Sequence, residues 1–153
     1  MKRTLTYSNM DVLLASPDKP MPEASRRHQL LRMHMGLLML ETAPDPELDD
    51  WVVVSDAVNM LETLLNMGHV QDPDDLLGDA VAVMAEAGER KQAGKTLRLS
   101  GRGIQVIRGV LEDYTTALNT LSERTMKAAH RKTEKRLHDI LDGKLQPHDV
   151  RFV

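Results

Sequence analysis

The 153-residue chain contains no cysteine and only four aromatic residues. The absence of cysteine excludes disulfides, thiolate zinc sites and cysteine nucleophiles, and it agrees with a reducing cytoplasm. The scarcity of aromatic rings removes the stacking surface on which proteins usually bind single-stranded nucleic acid. Ten methionines and many leucines are present instead, and a flexible aliphatic core of this kind favours helix packing over a β-sandwich.

Long hydrophobic runs are also absent. The longest near-continuous apolar run, residues 33–40, includes His34 and is far too short to span a membrane. The first residues carry only short apolar pieces, interrupted by Asn9 and Asp11, so they do not resemble a secretory signal. The sequence therefore predicts one cytoplasmic domain over residues 1–153, with no membrane partner.

Helical periodicity dominates what remains. Residues 23–42 form a helical segment whose second half is apolar nearly all round, which predicts a central, buried helix. Asp45 before Pro46, and Asp72 before Pro73, have the form of an N-cap followed by the first helical residue. The helix after Pro46 carries an apolar stripe at 3-4-3-4 spacing: Trp51, Val54, Val58, Leu61 and Leu65.

Glycines mark the ends of these helices, with Gly68 after the second and Gly94 near the end of the third. Ser100 is positioned to cap a fourth helix, whose pattern extends to Asp142. Unbroken, it would be about 60 Å long, so we expect a break near Ser122; a continuous, projecting helix that pairs with a partner is the alternative. Its stripe is the basis for an expected homodimer: Ile104, Ile107, Leu111, Tyr114, Leu118 and Leu121.

These segments predict an all-α fold, a bundle of about five helices with short connections. The alternation of residues 95–99 leaves a minor short β element open. Residues 1–22, spaced by three prolines, are expected to be irregular, and residues 144–153 to form an extended tail.

Charge is unevenly distributed along the chain. Residues 41–79 hold eleven acidic residues and no Lys or Arg. Part of this pattern suits helix N-termini, which favour carboxylates. The functional interpretation is an acidic surface that attracts a protein partner. Its candidate residues are Asp49, Asp50, Asp56, Asp74, Asp75 and Asp79.

Residues 124–136 have the opposite charge. They hold six Lys or Arg and one Glu, and Lys127, Arg131 and Lys135 share one helix face at i, i+4, i+8 spacing. Such a row suits contacts with phosphates, so nucleic-acid binding is the alternative function. Its candidate residues are Arg124, Lys127, Arg131, Lys132, Lys135 and Arg136.

Residues 88–105 contain Gly-Lys-Thr and glycines on either side, which suggests a phosphate-binding loop: GERKQAGKTLRLSGRGIQ. That loop needs four residues between its first glycine and Gly-Lys-Thr, after a strand and before a helix. Here five residues separate Gly88 from Gly94, the preceding segment is helical, and extended chain follows. Both spacing and context therefore exclude the motif.

Other catalytic and metal-binding patterns are weak. His130, Glu134 and His138 share a helix face, but their basic neighbours would repel a cation and the Glu-x-x-His pairs of di-iron bundles are absent. No paired carboxylates lie in an apolar setting, and no Gly-x-Ser-x-Gly occurs. The sequence predicts a protein that is not an enzyme and has no catalytic residues, metal or cofactor.

Three segments are similar to an uncharacterised family of small helical proteins from proteobacterial genomes, phages and plasmids. They are YSNMDVLLASP (7–17), residues 49–62 and SGRGIQ (100–105). The resemblance covers most of the chain and implies an accessory or regulatory protein of a mobile element, without assigning any site residue. We therefore expect a non-enzymatic helical interaction protein that binds another macromolecule.

Overall fold

The computed structural model describes residues 4–143, which form six α-helices and no strand. The predicted all-α bundle is thus confirmed. Residues 95–99, where a short β element was left open, are extended chain held by a hydrogen bond from Leu99 N to Leu40 O (2.7 Å). The helices are α1 (Asn9–Leu14), α2 (Glu23–Thr42), α3 (Leu48–Asn66), α4 (Leu76–Gln92), α5 (Arg102–Thr120) and α6 (Glu123–Leu141).

The central helix is α3, which packs against α2, α4, α5 and α6. Its predicted stripe is confirmed, since Val54, Val58 and Leu61 are buried. The prediction that α2 is central and buried all round is wrong. That helix buries one face on α3 and α5 and leaves its outer face exposed to solvent. Apolar residues therefore lie on both the buried face and the exposed face.

Close approach of α2 to α3 depends on Gly36. A Cβ at this position would lie 3.0 Å from the Asp50 carbonyl oxygen and 3.4 Å from a Val54 methyl group. The absent side chain therefore lets the two backbones meet, and it fixes which face of α2 is turned away from the bundle.

Three of the expected caps differ in detail. Asp45 is not the N-cap of α3, because Glu47 occupies that position and exchanges capping hydrogen bonds with Asp50. Ser100 does not cap α5; the N-cap is Gly101, whose φ of +53° suits glycine, and no side chain caps this end. Asp72 is not the N-cap of α4 either, because the helix begins at Leu76 behind Asp75, but the Asp72 carboxylate accepts hydrogen bonds from Leu76 N and Leu77 N (both 2.9 Å).

The expected break between α5 and α6 is confirmed. Helix α5 ends at Thr120, and α6 begins after Ser122, whose hydroxyl accepts a hydrogen bond from Thr125 N (3.1 Å). Gly68 and Gly94, with φ of +83° and +80°, end α3 and α4 as predicted.

The expectation that residues 1–22 are irregular is wrong for one segment, because α1 forms within it behind a capping box of Ser8 and Asp11. Six residues are too few for periodicity to reveal, and α1 is instead stabilised by packing on α6. The tail predicted for residues 144–153 lies outside the described residues.

Candidate functional site

The predicted acidic residues begin with a pair at the start of α3. Asp49 is exposed, whereas the Asp50 carboxylate accepts a hydrogen bond from Glu47 N (3.0 Å) as part of the capping box. Carboxylates also interact favourably with the positive end of a helix. The Asp50 side chain therefore caps the N-terminus of α3, and Asp49 remains the accessible member of the pair.

Asp74 and Asp75 lie at the opposite end of the bundle. Helix α4 runs back along α3, because Trp51 near the start of α3 contacts the middle and second half of α4: its Nε1 donates to Met84 O (2.9 Å) and its ring lies beside Gly88. The length of α3, about 28 Å for its 19 residues, therefore separates Asp49 from Asp74.

The last two predicted acidic residues belong to neither end. Asp79 pairs with Arg102 on α5 (3.4 Å). Asp56 faces a cleft between α2, α3 and α6. The six carboxylates thus occupy separate parts of the molecule rather than one continuous surface.

The predicted basic row on α6 is partly covered by the N-terminal segment, residues 4–22. Arg124 donates a hydrogen bond to Leu13 O (2.8 Å), and Arg131 donates one to Tyr7 O (3.3 Å). Lys127 pairs with Glu123 (3.6 Å) and lies 5.1 Å from the centre of the Tyr7 ring, at cation–π distance. These three cations are half-buried and engaged within the fold.

The other three predicted basic residues divide between core and surface. Arg136 is buried and forms an ion pair with Glu62 on α3 (3.6 Å). Lys132 and Lys135 are exposed. Of the row at positions 127, 131 and 135, only Lys135 is therefore freely presented to solvent.

The stripe expected to form a homodimer lies inside the bundle. Ile107, Leu111 and Leu118 are at most 1% exposed, and Tyr114 is also buried. These side chains are core residues of a single chain, so the residues on which the homodimer was based do not offer a surface to a second copy.

A cleft of about 620 Å³ opens between α2, α3 and α6. Thr6 and Tyr7 of the N-terminal segment form part of its rim. Its volume falls in the range of small-molecule sites, roughly 300–1,000 Å³. Apolar side chains make up much of its wall: Met33, Val53, Ala57, Met60, Leu137 and Leu141.

Several polar groups of the cleft are already paired. Glu134 accepts hydrogen bonds from Thr6 N (2.9 Å) and Thr6 Oγ1 (3.0 Å), and its Oε1 lies 3.0 Å from His130 Nδ1. The Tyr114 hydroxyl donates to Gln29 Oε1 (3.3 Å), and burial raises the pKa of Tyr114 to about 12. Tyr114 is therefore a neutral hydrogen-bond donor at ordinary pH.

Asp56 and Arg32 are the charged groups of the cleft that lack such partners. Within residues 4–143, neither side chain forms a hydrogen bond or an ion pair, and both remain accessible to solvent. Burial raises the pKa of Asp56, while the neighbouring His130 and Arg32 act in the opposite direction. An accessible but poorly solvated carboxylate thus faces the cleft.

A second surface feature is an exposed apolar row on the outside of α2, which we call the outer row. Sequence reasoning missed it because α2 was assigned to the core, although the apolar residues on both faces were its signal. It consists of Leu31, Met35, Leu38 and Met39.

In the described part of the chain, no group of three or more His, Asp or Glu side chains is arranged to hold a metal ion. None of the six helices is long and apolar enough to cross a membrane. Comparison of the chain with protein-family models, with curated proteins and with solved structures gives no match.

Proposed function

We propose that this chain is a non-enzymatic interaction protein that binds another protein through the outer row of α2. The observation that carries the proposal is the exposure of its members: 60% for Leu31, 57% for Met35, 55% for Leu38 and 40% for Met39. Single exposed apolar residues are ordinary, but neighbouring ones on one helix face are typical of interaction sites.

The arrangement of the outer row supports a single contact surface. At 100° per residue, its four members fall within about 100° of the helix circumference. The buried residues Met33, Gly36, Leu37 and Leu40 occupy the opposite side. The outer row therefore has no packing role inside the bundle, and covering it would remove apolar surface from water.

The chemistry around the outer row indicates the kind of partner. By the same helical geometry, Arg32 borders one side and His34 the other, and both are exposed. The carboxylates nearest in sequence, Glu23 and Glu41, are paired with Arg27 (3.3 Å) and Arg108 (2.6 Å). We therefore propose that the partner supplies an amphipathic helix whose apolar face is bordered by Asp or Glu.

The proposal keeps the protein partner expected from the sequence but moves the contact surface. The acidic candidates lie at separate places, so a partner would meet isolated carboxylates. The basic candidates of α6 offer Lys132 and Lys135 as exposed cations, which is a short footprint for phosphate contacts. An accessory role in a mobile element, implied by the resemblance of the sequence, belongs to the same proposal.

Site-specific photo-crosslinking tests this function. A benzophenone amino acid replaces Met35, and a matched control places it at Glu112, an exposed position on α5. Irradiation in the source cells, followed by nuclease treatment and mass spectrometry, should give a nuclease-resistant protein adduct at Met35 that is absent at Glu112. Peptides from the adduct should map to a helix with acidic borders.

Substitutions then separate the surfaces. Leu31→Asp with Leu38→Asp should abolish the adduct, because losing buried apolar contacts costs about 2 kcal/mol or more, roughly 30-fold in affinity, at an interface centre. Asp49→Asn with Asp74→Asn should leave it unchanged. An adduct to a second copy, binding of phosphatidylglycerol vesicles that needs the outer row, or no adduct at Met35 would each overturn the proposal.

A further inference from the structure

The cleft between α2, α3 and α6 has features that contact with a partner helix on the outer row does not use. Its apolar wall comes from three helices, and Met33 and Met60 are buried at the back. Hydrogen-bonded polar groups, the Thr6–Glu134 pair and the Tyr114–Gln29 pair, fix the rim and one side. The cleft is thus a shaped cavity with most of its polar groups already satisfied.

The two charges that remain in the cleft have opposite signs. The Asp56 carboxylate and the Arg32 guanidinium are unpaired within residues 4–143, although both line the same cavity. A poorly solvated carboxylate is stabilised by a cation that brings hydrogen-bond donors, and a guanidinium binds a carboxylate with paired hydrogen bonds. A ligand that carries both charges would satisfy both groups.

We propose that the cleft binds a small zwitterion of the amino-acid class with an apolar side chain. Its ammonium group would contact Asp56, its carboxylate would contact Arg32, and its side chain would cover apolar surface near Met60. The Glu134 carboxylate does not compete for the ammonium group, since Thr6 and His130 already occupy it. The site differs from the protein contact in its apolar wall and in Asp56, while Arg32 both lines the cleft and borders the outer row.

Calorimetric titration with L-leucine and L-phenylalanine tests the site. At least one of them should bind the full-length protein at pH 7.5. L-Leucinamide, which lacks the carboxylate, and N-acetyl-L-leucine, which lacks the cation, should each bind at least tenfold more weakly than L-leucine if leucine is the ligand. The corresponding phenylalanine derivatives serve in the other case.

Matched variants locate the binding. Asp56→Asn and Arg32→Gln should each weaken binding at least tenfold, while Asp49→Asn and Arg27→Gln, exposed positions on the same helices outside the cleft, should not. Circular dichroism checks that each variant is folded. No heat with either amino acid, equal binding of the amide, or full binding by folded Asp56→Asn would overturn the proposal.

The two proposals fail independently in this design. Leu38→Asp removes part of the outer row but does not line the cleft, so amino-acid binding should persist in it. Loss of amino-acid binding in Leu38→Asp, with the helical content unchanged, would show that the titration reports on the outer row and would overturn the cleft assignment.

Discussion

Removing one member of the Glu62–Arg136 ion pair should destabilise the protein far more than removing both. The pair joins α3 to α6, with Arg136 Nη2 3.6 Å from Glu62 Oε1 and with side chains only 7% and 12% exposed. Burial lowers the pKa of Arg136, and the charge of Glu62 opposes that shift. Both residues therefore carry charge in a place with little water.

The expected magnitude follows from the separation. Two unit charges 3.6 Å apart attract by about 4–5 kcal/mol at an effective dielectric constant of about 20. Desolvation of each ion costs several kcal/mol, so the complete pair is close to neutral for stability. Glu62→Gln or Arg136→Met breaks this buried pair by removing one of its two charges and should cost roughly 3–5 kcal/mol.

Urea unfolding followed by circular dichroism measures these differences as shifts of the midpoint at constant slope. The double variant, Glu62→Gln with Arg136→Met, should lose less than about 1.5 kcal/mol, because methionine retains the packing of the arginine stem and both charges of the pair are removed together. Lys135→Met, at the exposed neighbouring position, is the control and should change stability by less than about 0.5 kcal/mol.

Additive losses would refute this reasoning. If the double variant loses the sum of the two single losses, the side chains contribute separately and their charges are not coupled. A loss below about 1 kcal/mol for Arg136→Met would likewise show that the buried carboxylate does not need its partner.

Two further predictions concern aspartates. Because burial raises the pKa of Asp56, its ionisation costs stability as pH rises above the unfolded pKa of about 4. Asp56→Asn should therefore melt at a higher temperature than the wild type at pH 7, with the difference vanishing near pH 3; a gap independent of pH would contradict the charge argument. Asp72 accepts hydrogen bonds from Leu76 N and Leu77 N, both 2.9 Å, so Asp72→Ala should cost about 1 kcal/mol in urea unfolding. The exposed Asp74→Ala should cost under about 0.5 kcal/mol, and equal losses would exclude the capping role.

Local patterns predicted most of the helices correctly. The spacing of Val54, Val58 and Leu61, the glycine stops and the cap at Ser122 each depend on residues within a few positions of one another. Where two nearby residues could serve the same purpose, the sequence did not distinguish them. Asp45 and Glu47 both precede α3, and the hydrogen bond that Glu47 N donates to the Asp50 carboxylate identifies Glu47 as the N-cap.

The surfaces could not be predicted in the same way because they depend on contacts between distant residues. The cations of α6 form a regular row in the sequence, but Tyr7 and Leu13, more than a hundred residues away, engage Arg131 and Arg124. The cleft likewise combines Asp56 with Arg32 and Glu134 from other helices. Periodicity identifies a helix face but does not show what covers it.

The attachment of the N-terminal segment to α6 has a consequence for the order in which the fold assembles. Helix α2 contacts α3, α3 contacts α4, and α4 contacts α5, so their packing closes short loops. Thr6 meets Glu134 across 128 positions, and Ser16 meets Glu123 across 107. Closing such long loops costs more entropy, and α1 contributes no buried residue in return. The N-terminal segment should therefore join a bundle that has already formed, and it should separate from that bundle without unfolding the rest.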